Sequence, residues 1–154
     1  MNNDALKVHQ LLGGLFERRC TATRKRFTKE IRSECVVFGR YVNDADELVG
    51  VVAADAAFVC FTGAAIMMMS PGVASDMRAE GDLPEALCDA FGEVLNVMSR
   101  LFNPSGSPHR RYGGAEHGDA SQDIADLIKA SSSRRSFGFE ICGYGEGTVT
   151  LFEA

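Results

Sequence analysis

The sequence is short of metal ligands and of the usual catalytic signatures. Its three histidines, His9, His109 and His117, are scattered, and no Cys-x-x-Cys pair accompanies them, so no zinc-site spacing is present. The five cysteines, Cys20, Cys35, Cys60, Cys88 and Cys142, are odd in number and lie mostly in apolar runs. There Cys behaves as a small buried hydrophobe, which argues against a disulfide framework and for a reducing cytoplasm. No Ser-His-Asp spacing and no glycine-rich phosphate loop stands out, and "GYGEG" (143–147) reads as a turn rather than a nucleotide fingerprint. The N-terminal "MNNDALKVHQ" lacks the basic-then-apolar order of a signal peptide. Positive charge is also in deficit. A formal net charge of -5 makes a general nucleic-acid binder an unexpected role.

What is present suits one domain spanning residues 1–154. Apolar residues make up 45% and charged residues 24%, which allows a real core under a wet surface. One apolar run, "LVGVVAADAAFVCFTGAAIMMM" (48–69), is about long enough to cross a bilayer. Asp55 interrupts it, and a mid-membrane carboxylate is costly. Its β-branched start and Ala- and Met-rich second half read instead as a buried strand followed by a helix.

The rest of the chain divides by periodicity and punctuation. "ALKVHQLLGGLFER" (5–18) reads as a helix weakened by Gly13 and Gly14. The basic "TATRKRFTKEIR" (21–32) reads as an exposed edge strand or a loop. Residues 33–43 read as a strand, 43–47 as a turn, and 47–54 as a strand buried on both faces. Asp55 is placed to cap a helix over 56–69, with the Met67, Met68, Met69 run read as core packing. "SPG" (70–72) is expected to end that helix, and a short helix to cover 73–79. From Asp82 a long helix is expected, with a capping-box pattern to Glu85, Pro84 in its first turn and Pro104 beyond its end. Residues 105–121 read as loop with one short strand, and "SQDIADLIKA" (121–130) as a helix capped by Ser121. Two alternating runs (135–145 and 147–154) that meet at "GEG" (145–147) read as a final hairpin. The sum predicts an α/β fold of α+β type, with helices packed on a mostly antiparallel sheet.

The long helix carries the most informative pattern. Wound at about 100° per residue, Asp89, Glu93, Asn96 and Arg100 fall within roughly 60° of arc. Leu87, Phe91, Val94, Leu95, Met98, Leu101 and Phe102 take the opposite side. Such a stripe suits an ordinary solvated face, with Glu93 pairing with Arg100. Two details favour a site: Asn96 is a poor helix-interior residue, and the stripe has no Lys. Gly92 flanks the stripe and marks a place for close approach.

The spacing Asp89-x-x-x-Glu93-x-x-Asn96 resembles the signature of the chemotaxis phosphatase family that includes CheC, CheX and FliY. "GEVLNVMSRLFN" resembles the same helix in that family, and "ELVGVVAADAAFVCFTGAAIMMM" resembles the strand and helix leading to it. The likeness is best over residues 48–103, and one motif helix suits the shorter, CheX-like members. The resemblance implies a cytoplasmic hydrolase acting on the aspartyl phosphate of a response-regulator receiver domain. Asn96 would orient the attacking water, since its carboxamide both donates and accepts hydrogen bonds. Glu93 would pair with the receiver's active-site lysine. Asp89 and Arg100 would be supporting positions. The chain would need no cofactor of its own, because the Mg²⁺ would be the receiver's. Homodimerisation through a sheet edge is compatible with the resemblance. The chain departs from the family pattern in two places. Arg100 stands where members tend to carry a small residue, and no proline follows Pro108. A module that binds a receiver without catalysis therefore remains an alternative.

A further candidate is the basic segment. Arg18, Arg19, Arg24, Lys25, Arg26, Lys29 and Arg32 hold seven of the sixteen Lys and Arg residues. Charge on an edge strand protects the edge, and anion or nucleic-acid binding is the competing reading.

Overall fold

Asp55 divides the long apolar run as its position predicts. The computed structural model describes residues 3–16, 18–81, 83–103 and 109–154. In it, strand β3 (Leu48–Asp55) runs straight into helix α3 (Ala56–Ile66). The Asp55 carboxylate accepts from the Phe58 N–H at 2.8 Å, capping the helix, and from the Thr148 N–H of the neighbouring strand at 3.2 Å. Burial raises the Asp55 pKa, and the two backbone donors partly oppose the rise. Among the described residues no helix is long and apolar enough to cross a membrane.

Helix α1 (Asn3–Phe16) leads to edge strand β1 (Cys20–Lys25), short helix α2 (Lys29–Glu34) and strand β2 (Cys35–Val42). After α3 come α4 (Pro71–Glu80), α5 (Glu85–Met98), a 3-10 turn (Ser99–Phe102), β4 (Arg111–His117) and α6 (Gln122–Ala130). The hairpin of β5 (Ser133–Ile141) and β6 (Gly145–Glu153) ends the chain. The strands form one six-stranded sheet in the order β1-β5-β6-β3-β2-β4, and every neighbouring pair is antiparallel. The α+β class is therefore as expected.

The pleat sorts the core into two layers. Val37 and Tyr41 of β2, Val52 and Ala54 of β3, and Val149 and Leu151 of β6 face α1, α3 and α5. Their alternates Phe38, Val51, Ala53 and Phe152 face α6, which supplies Ile124, Leu127 and Ile128. Helices thus cover both faces, which is why β3 reads as almost continuously apolar. Backbone approaches most closely at Gly147, where a Cβ would lie 2.3 Å from the Phe58 backbone. That contact lets β6 press against the start of α3.

Several local expectations need correction. The edge-strand reading of 21–32 holds as far as Lys25, but Lys29 onward is helix α2, which Thr28 caps by accepting from the Ile31 N–H at 3.2 Å. Ser70 does not end α3; it caps α4, with Pro71 in the first turn. Helix α3 stops three residues early, at Ile66, and turns through Met68 at a φ of 57°. Only Met69 of the Met run packs on the core, while Met67 is exposed and Met68 is 89% exposed. The hairpin turn is 142–144 rather than "GEG": Tyr144 N–H bonds to Ile141 O at 2.9 Å, with Gly143 at a φ of 89°. Ser121 makes no capping bond. Its hydroxyl lies 2.6 Å from an Asp123 oxygen and 2.9 Å from a Glu116 oxygen, with one proton shared between them. The Asp82 part of the capping box and Pro104 lie outside the described residues. Pro84 itself is the N-cap of α5 and supplies no side-chain cap.

Candidate functional site

Helix α5 is held by its apolar face. Leu87, Phe91, Val94, Leu95 and Met98 are all buried. Each such side chain contributes about 1.5–3 kcal/mol by leaving water. Phe91 meets Phe58 edge to face at 5.8 Å, and Leu95 sits over Gly39 of β2. Gly63 lets α3 approach Leu87 closely, a Cβ there lying 3.1 Å from the Leu87 carbonyl. Gly92, by contrast, meets only the Tyr112 hydroxyl at 3.8 Å, ordinary contact, so no neighbouring described element approaches closely there.

The helix changes pitch at its end. The Ser99 N–H turns back to Asn96 O, beginning the 3-10 turn. The buried Tyr41 hydroxyl donates to the Leu95 carbonyl at 2.6 Å, one residue before Asn96. Phe102 stacks on Tyr41 at 4.5 Å, and Asn103 ties the turn to Arg110 through paired bonds of 2.7 and 2.8 Å. Asn96 therefore stands on a segment fixed from beneath. Sequence periodicity treated 83–102 as one winding and missed both this change of pitch and the Tyr41 anchor.

Asp89, Glu93, Asn96 and Arg100 are all exposed, so the polar stripe exists as its spacing predicts. Among the described residues none of the four side chains makes an ion pair or a hydrogen bond. The expected Glu93–Arg100 pair is absent. Glu93 borders a groove of about 650 Å³ with Leu15, Phe16 and Arg18 at the end of α1, Ala65, Ile66 and Met68 at the end of α3, and Tyr144. Arg100 lies beyond the α-helix and borders a different cavity, of about 730 Å³, between the start of α1 and strands β5 and β6. Among the described residues no group of three or more His, Cys, Asp or Glu side chains could hold a metal ion.

The cations of the basic segment are distributed rather than pooled. Arg24 pairs with Asp4 at 3.2 Å, and Lys25 with Glu146 at 3.0 Å. Arg18 lies over the Tyr144 ring and Arg32 over Phe38. A second charge cluster, which sequence reading missed, lies on the α6 side. Arg40 of β2 bonds Glu116 of β4 at 2.8 Å and makes two bonds to Asp123 of α6. Hydrogen bonds from Arg40 and Ser121 hold the Asp123 carboxyl well below its usual range. Bonds from Ser121 and Arg40 lower Glu116 too, against the pull of burial. The residue types gave no hint of this cluster, because its members are 76 and 83 positions from Arg40.

No family model matches the sequence, and no curated protein matches it. Solved structures do match the fold. The middle domain of FliM from H. pylori superposes with a TM-score of 0.58 at 10% identity, covering 97% of this chain and 84% of that one. FliY from Thermotoga maritima gives 0.57 at 13% identity, covering 100% of this chain and 91% of that one. This chain has the FliM/FliY fold. FliM in a FliG–FliM complex from H. pylori also matches, at 0.52 and 9% identity, over 97% of this chain and 85% of that one. The fold expected from the Asp89–Glu93–Asn96 spacing, that of the CheC, CheX and FliY group, is thus the one observed.

Proposed function

We propose that this chain binds a phosphorylated response-regulator receiver domain through α5 and speeds hydrolysis of its aspartyl phosphate. The observation that carries this reading is an exposed carboxylate and an exposed carboxamide one helical turn apart, neither with a partner among the described residues. Both ride on a helix whose opposite face is locked into the core. Phosphoryl transfer depends on positioning and charge stabilisation more than on covalent chemistry from the catalyst. Glu93 pairs with the receiver's lysine and sets the register. Asn96 enters the receiver's site, accepts a hydrogen bond from the attacking water and donates to the phosphoryl group. The receiver supplies the Mg²⁺. Asp89, a turn before Glu93, adds negative charge for the same lysine-bearing surface.

The test is the lifetime of aspartyl phosphate on receiver domains encoded beside this gene. The wild-type chain is expected to shorten it at least tenfold, and Asn96→Ala to restore it while remaining folded. A lifetime unchanged by the wild-type chain rejects catalysis.

A second reading is a receiver-binding module without catalysis. It is favoured by the likeness to FliM, a protein solved as an assembly partner of FliG, and by the exposed Arg100 close to Asn96 in sequence. Its positive charge, on the 3-10 turn after α5 and beside the other cavity, acts on a partner's lysine at long range rather than at Glu93. A receiver retained by the chain with an unchanged phosphate lifetime supports this reading over the first.

A further inference from the structure

Met68 combines two locally unfavourable choices. Its backbone is left-handed, with a φ of 57°, a conformation that favours glycine. The bonds around it, Met68 N–H to Ala65 O at 3.2 Å and Met69 N–H to Ala64 O at 2.9 Å, are those of a helix end usually closed by glycine. Its side chain is 89% exposed, so it returns no burial to the fold. Met67 beside it is also exposed, at 40%.

Met68 also borders the same groove as Glu93, with Leu15, Phe16, Ile66 and Tyr144 giving that groove an apolar lining. The groove is rigidly backed: the Tyr144 hydroxyl donates to the Met69 carbonyl, and Arg18 stacks 4.7 Å from the Tyr144 ring centre. The Arg18 guanidinium is further occupied by the Cys142 carbonyl at 3.3 Å. Among the described residues the uncommitted charge at this groove is therefore the Glu93 carboxylate.

We infer that the end of α3 is a second half of the docking surface, with Met68 as a projecting anchor that packs against an apolar patch on the partner beside its lysine. The inference rests on the function proposed above and takes the same occupant, a receiver domain. A flexible, unbranched thioether suits such a contact, because it adapts to an apolar surface it meets only on binding. Charge complementarity selects the occupant: a partner that brings a cation to Glu93 brings its adjoining surface over Met68.

The experiment uses Met68→Gly and Met68→Asn in the full chain, since both residues tolerate the left-handed backbone. Unfolding midpoints and affinity for receiver domains carrying a beryllofluoride phosphoryl mimic are measured together. Met68→Gly is expected to raise the thermal midpoint or leave it unchanged and to weaken receiver binding at least tenfold. Met68→Asn is expected to weaken binding similarly. If the wild-type chain binds a receiver and both variants bind it equally well, the anchor is overturned while the α5 reading stands. If the wild-type chain binds no receiver, both fall. A thermal midpoint lowered by several degrees in both variants assigns Met68 to folding and overturns the inference. Self-association of the wild-type chain that Met68→Gly abolishes assigns the surface to a second copy and also overturns it.

Discussion

The sheet carries two clusters of charge on opposite faces, and they are built in opposite ways. On the α6 side Arg40 is bound by Glu116 and Asp123, and Ser121 completes the network. On the α5 side Glu93, Asn96, Asp89 and Arg100 stand exposed with no such partners among the described residues. Both clusters use ordinary residues, yet only one is internally satisfied. Arg40 joins two strands and a helix, so its charges serve the fold. The α5 stripe contributes nothing comparable, so its polar groups are free to meet a partner.

The largest expected effect lies on the α5 side. Asn96→Ala should slow receiver dephosphorylation by about tenfold or more, roughly 1.4 kcal/mol of barrier. Stability should stay within about 0.5 kcal/mol, as for other exposed positions. A urea melt beside the phosphate-lifetime assay checks both. The converse holds on the α6 side. Arg40→Ala should destabilise the fold by about 1 kcal/mol, a figure held down by solvent screening at the half-exposed Asp123. It should leave dephosphorylation unchanged.

Acid distinguishes the two clusters further. Asp123 and Glu116 have lowered pKa values in the folded state. Their stabilisation is complete above the ordinary carboxylate range, about pH 4, and is lost as pH falls through the folded values. Asp55 acts in the opposite sense, because its raised pKa means that protonation favours the fold. Urea midpoints taken from pH 6 downward should therefore fall less steeply in Arg40→Ala than in the wild-type chain. A parallel pair of curves would remove Arg40 as the cause. The smallest effect expected on the fold is that of Glu93→Gln. It should leave the melt within about 0.5 kcal/mol while weakening receiver binding several-fold at low salt, with a shallower salt dependence.

The same contrast explains how much was legible beforehand. Local signals are legible in the sequence where one residue acts on its near neighbours. Asp55 was recognised as a cap, and the period of Leu87, Phe91, Val94, Leu95 and Met98 gave the buried face of α5 and so the exposed stripe. The family resemblance carried by that stripe implies the fold found in the FliM and FliY superpositions. Long-range contacts were invisible. The Arg40 network, the Tyr41 anchor under Leu95 and the packing of Gly147 on Phe58 join residues far apart in sequence. The Met run misled for a different reason. Hydrophobicity predicts burial on average, but α3 ends before the run, and a left-handed turn carries Met68 outward. Reading Ser70 as a stop rather than a start followed from the same misplaced helix end.

The most direct test of an available α5 stripe is a backbone amide NMR titration of the chain with a beryllofluoride-bound receiver domain. Chemical-shift perturbations should concentrate at Asp89, Glu93, Asn96 and the adjoining end of α3, with Arg40, Glu116 and Asp123 unmoved. Perturbations centred on the α6 face, or none at saturating receiver, would contradict it.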